Sequence, residues 1–395
     1  MSLIKHYYFS ILLMISLLLG GLFGWLYPSE SHVIKPMGDL LLNLILTVMV
    51  PLIFFSLSGA MLTLKQHHQT GRLVKKTLLV FLGMGMVAAI FSLFLLKWFP
   101  LVISPLASAQ SPDIASRSIL ENLVAMLSVE KFSDLFSHQH ILALMLFAML
   151  VGVASPKKIL DFLKTGESLC MKVFSYVMYY APIGFFAYFA NMVADLGPKI
   201  LSQYAGIAGL YYSFVLLYFC GFYSLLAYWV GGIAVFWKNI WLPASTALAT
   251  CSSLASIPAN LEASKRMGVA PEVYETSIPL GTLLHKEGSI IGGMFKIAFL
   301  MAAFHMSFSG LMVCVLAVGV SLLVGTVMGA IPGGGMLGEM LILATYGFPS
   351  EALVSIVAIS IIIDPLATML NATGNTIAAL VIDRRMKKTS SVQVD

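Results

Sequence analysis

The chain has 395 residues, of which 59% are hydrophobic and only 10% are charged, and its mean hydropathy is +0.93. Soluble domains carry roughly 25% charged residues, so this composition excludes a water-soluble globular protein and predicts an all-α polytopic membrane protein. The net charge of +5 is small and comes from loops, which gives no support to a nucleic-acid partner.

Eight apolar segments are long enough to form membrane-spanning helices, each of which needs about 20 residues. Their continuous hydrophobicity favours helices over the alternating strands of a barrel. The first segment ends in Leu26-Tyr27-Pro28 and lacks the small residues of a signal-peptide cleavage site, so a retained helix is predicted. The predicted helices span residues 8–27, 37–64, 73–104, 137–155, 168–194, 203–237, 273–303 and 349–383.

Basic residues collect in alternate loops. They follow the second, fourth, sixth and eighth predicted helices, whereas the loops at 28–36, 105–120 and 195–202 carry few of them. Lysine and arginine are retained in the cytoplasm during membrane insertion. We therefore expect a multi-pass protein of the inner (plasma) membrane, surrounded by membrane lipid, with both termini in the cytoplasm.

Two further regions, 240–266 and 308–348, have apolar flanks and interrupted centres. The first contains the polar pair Ser252-Ser253, and the second contains Pro332 beside a run of glycines that cannot continue a helix. Non-helical backbone at membrane depth persists only where it is buried in protein or lines a wet cavity. Two re-entrant helical hairpins meet this requirement; two ordinary loops outside the membrane are the alternative.

Paired interruptions of this kind indicate a transporter, because half-helix ends and free backbone groups hold the substrate there. We expect a small-molecule site where the two hairpins meet the last helix, which carries Asp364. An intramembrane carboxylate is functional by default; a structural partner of a buried lysine is the alternative. The four cysteines lack metal-ligand spacing, and neither a resident metal nor a cofactor is predicted.

Several motifs occur in a specific order along nearly the whole chain. They are KPMGDL at 35–40, MVPLIF at 49–54, YAPIGF at 180–185, PLG at 279–281, IPG at 331–333 and NATGN at 371–375. In order and spacing they resemble the dicarboxylate/amino acid:cation symporters, the glutamate-transporter family. The resemblance implies a homotrimer of elevator-type transporters with eight transmembrane helices and two re-entrant hairpins.

Each protomer would then consist of a scaffold domain and a mobile transport domain. The scaffold would comprise residues 1–72 (helices 1 and 2) and 131–202 (helices 4 and 5). The transport domain would comprise 73–130 (helix 3 and an external loop), 203–239 (helix 6), 240–266 (hairpin 1), 267–306 (helix 7), 307–348 (hairpin 2) and 349–385 (helix 8), followed by a cytoplasmic tail at 386–395.

The last predicted helix departs from the family pattern at the substrate site. Members that select acidic amino acids have an Asp for the substrate ammonium and, three residues later, an Arg for its side-chain carboxylate; these positions are Asp364 and Ala367 here. A second substrate carboxylate would lack its charged partner, so a small neutral amino acid is predicted. The predicted substrate-binding residues are Ser252, Ser253, Gly333, Asp364, Ala367, Thr368 and Asn371.

The family's cation sites are also altered. Where the family usually reads NMDGT, this chain has HKEGS at 285–289, and the acidic residue after the last-helix glycine is Asn375. On the third helix, Phe81 and Met84 stand where the family has oxygen ligands for sodium. Sodium is a hard cation that needs several oxygen ligands, so these replacements favour sodium-independent transport.

Lys286 is the most informative of these replacements. We expect it to take the place of a bound sodium ion, paired with Glu287 or Asp364, and we favour the proton over sodium as the coupled cation. The residues predicted to take part in coupling are His285, Lys286, Glu287, Asn371 and Asn375. The alternative has Lys286 on the domain surface and Glu287 still able to bind sodium.

Three other functions are compatible with parts of the sequence. A symporter of acidic amino acids or C4-dicarboxylates remains open if a lysine or arginine reaches the site from elsewhere in the chain. An intramembrane serine hydrolase could use Ser252 or Ser253 with His285 and Glu287, although no nucleophile motif accompanies them. A passive channel is the third alternative. Lys296 and Glu339 are further intramembrane charges, and the sequence gives Lys296 no evident partner.

Overall fold

The computed structural model describes residues 2–66, 71–101, 103, 124, 127–137, 140–197, 199–327 and 334–391. These residues are almost entirely helical and include no strand, as an environment without water requires, because a helix satisfies its own backbone hydrogen bonds. The α-helices are α1 (Ser2–Leu26), α2 (Pro28–Gln66), α3 (Gly71–Trp98), α4 (Ile141–Ala154), α5 (Leu160–Leu196), α6 (Lys199–Leu217), α7 (Tyr223–Trp229), α8 (Ile233–Asn239), α9 (Trp241–Thr250), α10 (Ile257–Arg266), α11 (Pro271–Leu284), α12 (Glu287–Ala303), α13 (Leu311–Val327), α14 (Gly334–Tyr346) and α15 (Ala352–Ser391).

Several of these helices have the length and hydrophobicity of membrane spans, which confirms the prediction of an all-α membrane protein. Within the described residues, five segments are long and apolar enough to cross a bilayer by themselves: Pro28–Thr63, Leu73–Trp98, Lys157–Asp195, Ser202–Trp229 and Ala352–Lys387. Shorter apolar helices occur at Ile15–Leu26, Ala143–Ala154, Leu311–Thr326 and Gly335–Tyr346. The total of eight crossings stays a prediction.

The seventh predicted helix, 273–303, is not continuous. It consists of α11 and α12, and the backbone is extended at His285 and irregular at Lys286 between them. The backbone N–H of His285 still donates to Gly281 and closes α11. The prediction of one uninterrupted helix was therefore wrong, and the break falls on the HKEGS motif.

The first interrupted region folds as a helical hairpin. Helices α9 and α10 are joined by a short turn in which Cys251 has a left-handed backbone with φ of 48°. The second region supplies α13 and α14, and its tip at 328–333, including the predicted ligand Gly333, lies outside the described residues.

The site is positioned by the packing of α12 and α15, the most deeply buried of the described helices. Helix α15 lies against α6, α9, α10, α11, α12 and α14, and α12 also packs against α3 and α13. Elsewhere α1, α2 and α4 pack against one another or against α5. The division into a scaffold and a transport domain stays a prediction.

Candidate functional site

Helices α12 and α15 meet at Gly288. A side chain there would collide with the backbone of Ala367, so this close approach requires glycine. Next to it, the backbone N–H of Ser289 donates to Oδ1 of Asn371 at 3.2 Å, and Nδ2 of Asn371 donates to Oγ of Ser289 at 3.1 Å. These contacts fix the start of α12 against the middle of α15 and bring the two predicted groups of site residues together.

Glu287 is fully buried and accepts two hydrogen bonds from tyrosines. The hydroxyl of Tyr218 donates to Oε1 at 2.6 Å, and that of Tyr223 donates to Oε2 at 2.5 Å. In a regular α-helix, residues five apart point about 140° away from each other. The chain from Tyr218 to Phe222 is instead a π-helical turn, whose i to i+5 spacing turns both hydroxyls toward one carboxylate.

Beside this carboxylate, His285 is buried in a tight aromatic contact. Its ring stacks on Phe81 with centroids 4.5 Å apart and planes 6° from parallel, and its Nδ1 lies 3.1 Å from Oδ1 of Asn375. Its Nε2 is 3.7 Å from Oε2 of Glu287, which is too long for a hydrogen bond. Three predicted coupling residues, His285, Glu287 and Asn375, thus form one cluster.

The side chain of Lys286 is turned inward, with only 6% of its surface exposed. It is close enough to Asp364 for the two charges to interact, although their separation exceeds the 4 Å of an ion pair. Among the described residues, the Lys286 ammonium makes neither a hydrogen bond nor an ion pair. The alternative that placed this lysine on the domain surface is therefore wrong.

Asp364 lies on the middle of α15 and is solvent-exposed, although the helix is otherwise largely buried. Its Oδ1 accepts from the hydroxyl of Thr368 at 3.3 Å. Lys286 and Lys296 both lie within electrostatic range, as does Cys251 at the tip of the first hairpin. The carboxylate therefore lies near the tip of hairpin 1 and near two buried lysines.

The two serines of hairpin 1 differ in their local bonding. Oγ of Ser252 accepts from the backbone N–H of Ala255 at 3.2 Å and so helps to close the turn. Ser253 is 9% exposed, and its hydroxyl has no hydrogen-bond partner among the described residues. Ser253 is therefore the serine with a free donor for a ligand.

The structure also contains a second charged cluster, which the sequence did not predict. Nζ of Lys296 on α12 donates to Oε1 of Glu339 on α14 at 3.0 Å, and the hydroxyl of Ser360 on α15 donates to the same oxygen. Both charged side chains are almost completely buried. The sequence did contain a signal for this pair, namely one lysine and one glutamate in two apolar segments. Charges in such segments are seldom left unpaired, so the two could have been expected to meet.

We use the term polar seam for the polar groups that lie between or beside α12 and its neighbours. Its members are Lys286, Glu287, Ser289 and Lys296 on or next to α12, Glu339 on α14, and Ser360, Asp364, Asn371 and Asn375 on α15. Tyr218 and Tyr223, which the sequence did not point to, donate hydrogen bonds to Glu287 in this seam.

An all-helical bundle with membrane-length apolar segments, one helix broken at its centre and several buried charges at the break has the character of a secondary transporter. Charges at bilayer depth are costly and mark substrate and ion pathways. Discontinuous helices place free backbone groups at such sites. This is the class of protein that the fold and the polar seam define.

Comparison with known proteins identifies the family. Residues 9–385 match the model of the sodium:dicarboxylate symporter family, and the chain belongs to that family. The resemblance found in the sequence motifs is thereby confirmed, as is the prediction that the protein is a transporter and not an enzyme. The intramembrane hydrolase is excluded by the same finding.

Several curated relatives are similar over almost the whole chain. The proton/sodium-glutamate symport protein of Bacillus subtilis (strain 168) is 25% identical over 392 residues, which cover 94% of this chain and 91% of the relative. A C4-dicarboxylate transport protein of Brucella anthropi is 24% identical and covers 96% of this chain and 89% of the relative. The proton/glutamate-aspartate symporter of Bacillus subtilis (strain 168) is 23% identical, with 94% and 93% covered.

Proposed function

We propose that this protein is a cation-coupled symporter that transports an acidic amino acid or a C4-dicarboxylate. The relatives described above bear names with glutamate, aspartate or C4-dicarboxylates as substrates. The sequence left this function open on condition that a lysine or arginine reaches the site from elsewhere, and Lys286 and Lys296, which both lie within electrostatic range of Asp364, are the candidates for this role. The anionic substrate is therefore better supported than the neutral amino acid that the sequence favoured.

The observation that carries this proposal is the Lys286 ammonium. A buried charge is costly unless it is paired and hydrogen-bonded, yet this ammonium has no such partner among the described residues. A substrate with one carboxylate beside Lys286 and an amino group on Asp364 would satisfy both charges. Ser253 would add a hydroxyl donor from hairpin 1, and Thr368 would help to orient Asp364.

A small neutral amino acid is the second candidate, and Ala367 favours it. The small side chain at this position is buried beside α12 and offers no charge to a second carboxylate. With Lys286 on the α-carboxylate and Asp364 on the amino group, a neutral amino acid would already be fully paired. The two candidates differ in whether the site provides a cation for a second carboxylate of the substrate.

We propose the proton as the coupled cation, with Glu287 as its carrier and Lys286 in the place of a bound sodium ion. The support is the buried carboxylate of Glu287, which two tyrosines hold close to His285. The stacked rings of Phe81 and His285 fill the space beside it with carbon instead of oxygen ligands. Asn371 and Asn375 would order the adjoining backbone and the histidine ring.

The larger architecture also belongs to the proposal. By analogy with the family, we expect a homotrimer in the inner membrane with both termini cytoplasmic. Each protomer would have eight transmembrane helices, and a transport domain would move past the scaffold like an elevator. Saturable counterflow of labelled substrate would distinguish this carrier from a passive channel.

Ligand binding provides the test of the substrate. The apparent melting temperature of the purified protein would be measured with aspartate, glutamate, succinate, alanine and serine, because a ligand that binds only the native state raises it. We expect acidic compounds to stabilise the protein and Lys286→Met to abolish their effect. The matched control is Lys238→Met, which alters an exposed lysine. Stabilisation by alanine or serine alone would contradict the acidic substrate.

The coupled cation is tested by uptake into sealed liposomes. We expect uptake of the stabilising substrate to persist when sodium is replaced by choline and to increase when the outside is made more acidic. Glu287→Gln should weaken the response to the pH gradient. A strict requirement for sodium would refute proton coupling while leaving the substrate assignment intact.

A further inference from the structure

We propose that Lys296, Glu339 and Ser360 form a second proton-binding site, in which protonation of Glu339 releases Lys296 to bind the substrate's second carboxylate. This inference rests on the proposed acidic substrate and deepens it. Lys296 would supply the cation that Ala367 cannot provide, and binding of the substrate would depend on binding of a proton to Glu339.

The cluster joins three helices. Lys296 comes from α12, Glu339 from α14 and Ser360 from α15, and both donors converge on the same oxygen, Oε1 of Glu339. The lysine is 3% exposed and the glutamate 1%, so bulk water does not screen this pair. The ion pair therefore holds the second hairpin against both helices of the polar seam.

The other oxygen of Glu339 is what makes this cluster more than a structural ion pair. Its Oε2 is buried and has no hydrogen-bond partner among the described residues. A charged carboxylate with one oxygen unsatisfied in a dry environment is incompletely stabilised. A proton could add to Oε2 without competing for the site that Lys296 and Ser360 occupy on Oε1, and the neutralised carboxyl would then hold Lys296 less strongly.

The surroundings of Glu339 contain few other groups that could take this proton. Helix α14 packs against α4, α12, α13 and α15. The ionisable residues that these elements bring to its neighbourhood are Lys296 and Asp364, and Cys314 lies on α13. Helix α14 itself adds the phenol of Tyr346, and α4 has no ionisable side chain among its described residues.

The cluster lies beside the proposed substrate position. Ser360 precedes Asp364 by one helical turn, a rise of about 6 Å along α15, and Asp364 is within electrostatic range of Lys296, Lys286 and Glu339. An acidic amino acid carries one ammonium and two carboxylates. Asp364 would take the ammonium, Lys286 one carboxylate and Lys296 the other.

The proposed step conserves charge and protons. A proton from the aqueous side adds to the Glu339 carboxylate and forms an O–H bond, and no other bond is broken apart from the hydrogen bond from Lys296. The lysine keeps its own protons and its positive charge, and it donates instead to the substrate carboxylate. One proton and one anionic substrate thus bind together.

The experiment is a titration of aspartate binding at several pH values, from mildly acidic to mildly alkaline, with the purified full-length protein. Each linked proton lowers the dissociation constant by up to about tenfold for each unit by which the pH is lowered, and in the wild type we expect contributions from Glu287 and from Glu339. In Glu339→Gln this slope should fall by the contribution of one proton, because the amide takes up no proton and holds Lys296 at every pH only by a neutral hydrogen bond. Glu351→Gln, which alters an exposed glutamate, should keep the wild-type slope.

Lys296→Met tests the other half of the proposal. We expect it to weaken aspartate binding by about 5- to 150-fold, the usual range of a coupling between two sites, and to leave alanine binding unchanged. If this variant does not fold, Lys296→Met combined with Glu339→Leu removes both charges and permits the same measurement. Aspartate binding equal to that of the wild type in the variant that folds would overturn the proposal.

The outcomes also separate this inference from the proposed function. If no acidic compound binds the wild type at any pH, the acidic substrate itself is refuted. If aspartate binds but Glu339→Gln retains the wild-type slope, only the role of Glu339 is refuted. If the ion pair is purely structural, Lys296→Met and Glu339→Gln should each lower the melting temperature, and the pH dependence of aspartate binding in Glu339→Gln should equal that of the wild type.

Discussion

The two tyrosines on Glu287 allow a quantitative prediction. Tyr223 has two acceptors in range, Oε2 of Glu287 at 2.5 Å and the carbonyl of Leu370 at 3.0 Å, but its hydroxyl has one proton to donate. The carboxylate should receive it, because hydrogen bonds to charged groups are the stronger ones. We expect Tyr223→Phe to lower the free energy of unfolding by about 1.5–3 kcal/mol.

A double-mutant cycle measures how much of this cost comes from the carboxylate. In a Glu287→Gln background, Tyr223→Phe should cost only about 0.5–1.5 kcal/mol, the value of a neutral hydrogen bond. Unfolding would be followed by titrating the protein in mixed micelles with a denaturing detergent. Tyr212→Phe is the control, because its hydroxyl donates to the backbone carbonyl of Ile362, and such bonds average about 0.6 kcal/mol in membrane proteins.

One result would refute the reasoning. If Tyr223→Phe costs the same in the wild type and in Glu287→Gln, the hydroxyl does not donate to a charged carboxylate. Glu287 would then be a neutral acid in the resting protein, and its single hydroxyl could donate to only one of the two tyrosines. The proposed proton would already be bound before the substrate arrives.

Further predictions concern the close contacts of the seam and the tip of hairpin 1. Gly374→Ala should lower the free energy of unfolding by about 1–3 kcal/mol, because the new Cβ would lie 2.5 Å from Oε2 of Glu287; unchanged stability in the detergent titration would contradict this. Gly288→Ala should separate α12 from α15 and abolish substrate-induced stabilisation, and a normal thermal shift would show that the contact with Ala367 is not needed. Ser253→Ala should weaken substrate binding by up to about tenfold, equivalent to about 0.5–1.5 kcal/mol, whereas wild-type affinity would show that its hydroxyl does not contact the substrate.

Much of the fold could be predicted because lipid imposes simple rules on the chain. The long apolar runs became α2, α3, α5 and α15, and the interruption at 240–266 became the hairpin of α9 and α10. The family motifs also placed the HKEGS segment near the last helix, where it is found. These predictions depended on hydrophobicity and on the order of motifs, which are both visible in a single sequence.

The local features of the site could not be predicted in this way. The break at His285 and Lys286 contains neither proline nor glycine, so the apolar flanks suggested a continuous helix. The π-helical turn at Tyr218–Phe222 showed no signature in the sequence, and it directs two tyrosines at a carboxylate 69 and 64 residues away along the chain. Lys296 and Glu339 are 43 residues apart and meet only through tertiary packing.

The replacement of the family arginine also has a physical explanation. At position 367 an arginine would belong to α15, whereas the two lysines within electrostatic range of Asp364 belong to the neighbouring α12 segment. A lysine has a flexible four-carbon stem and a compact charge, so it can supply a cation from another helix. It cannot reproduce the two parallel hydrogen bonds of an arginine. A substrate held by separate lysines would therefore be recognised by its charges more than by the planar geometry of one carboxylate.

The charges of the polar seam constrain how many cations must accompany the substrate. With all groups ionised, Glu287, Glu339 and Asp364 contribute three negative charges, and Lys286 and Lys296 contribute two positive charges, so the empty seam carries one net negative charge. Moving an uncompensated charge through the bilayer is costly, and an acidic amino acid adds another negative charge. Two protons are then needed for a neutral loaded seam, one on Glu287 and one on Glu339, whereas a neutral amino acid needs only one.

Each cycle would carry one net positive charge inward, so an inside-negative potential should accelerate uptake in liposomes. Uptake of aspartate that is indifferent to the potential would refute this count of charges.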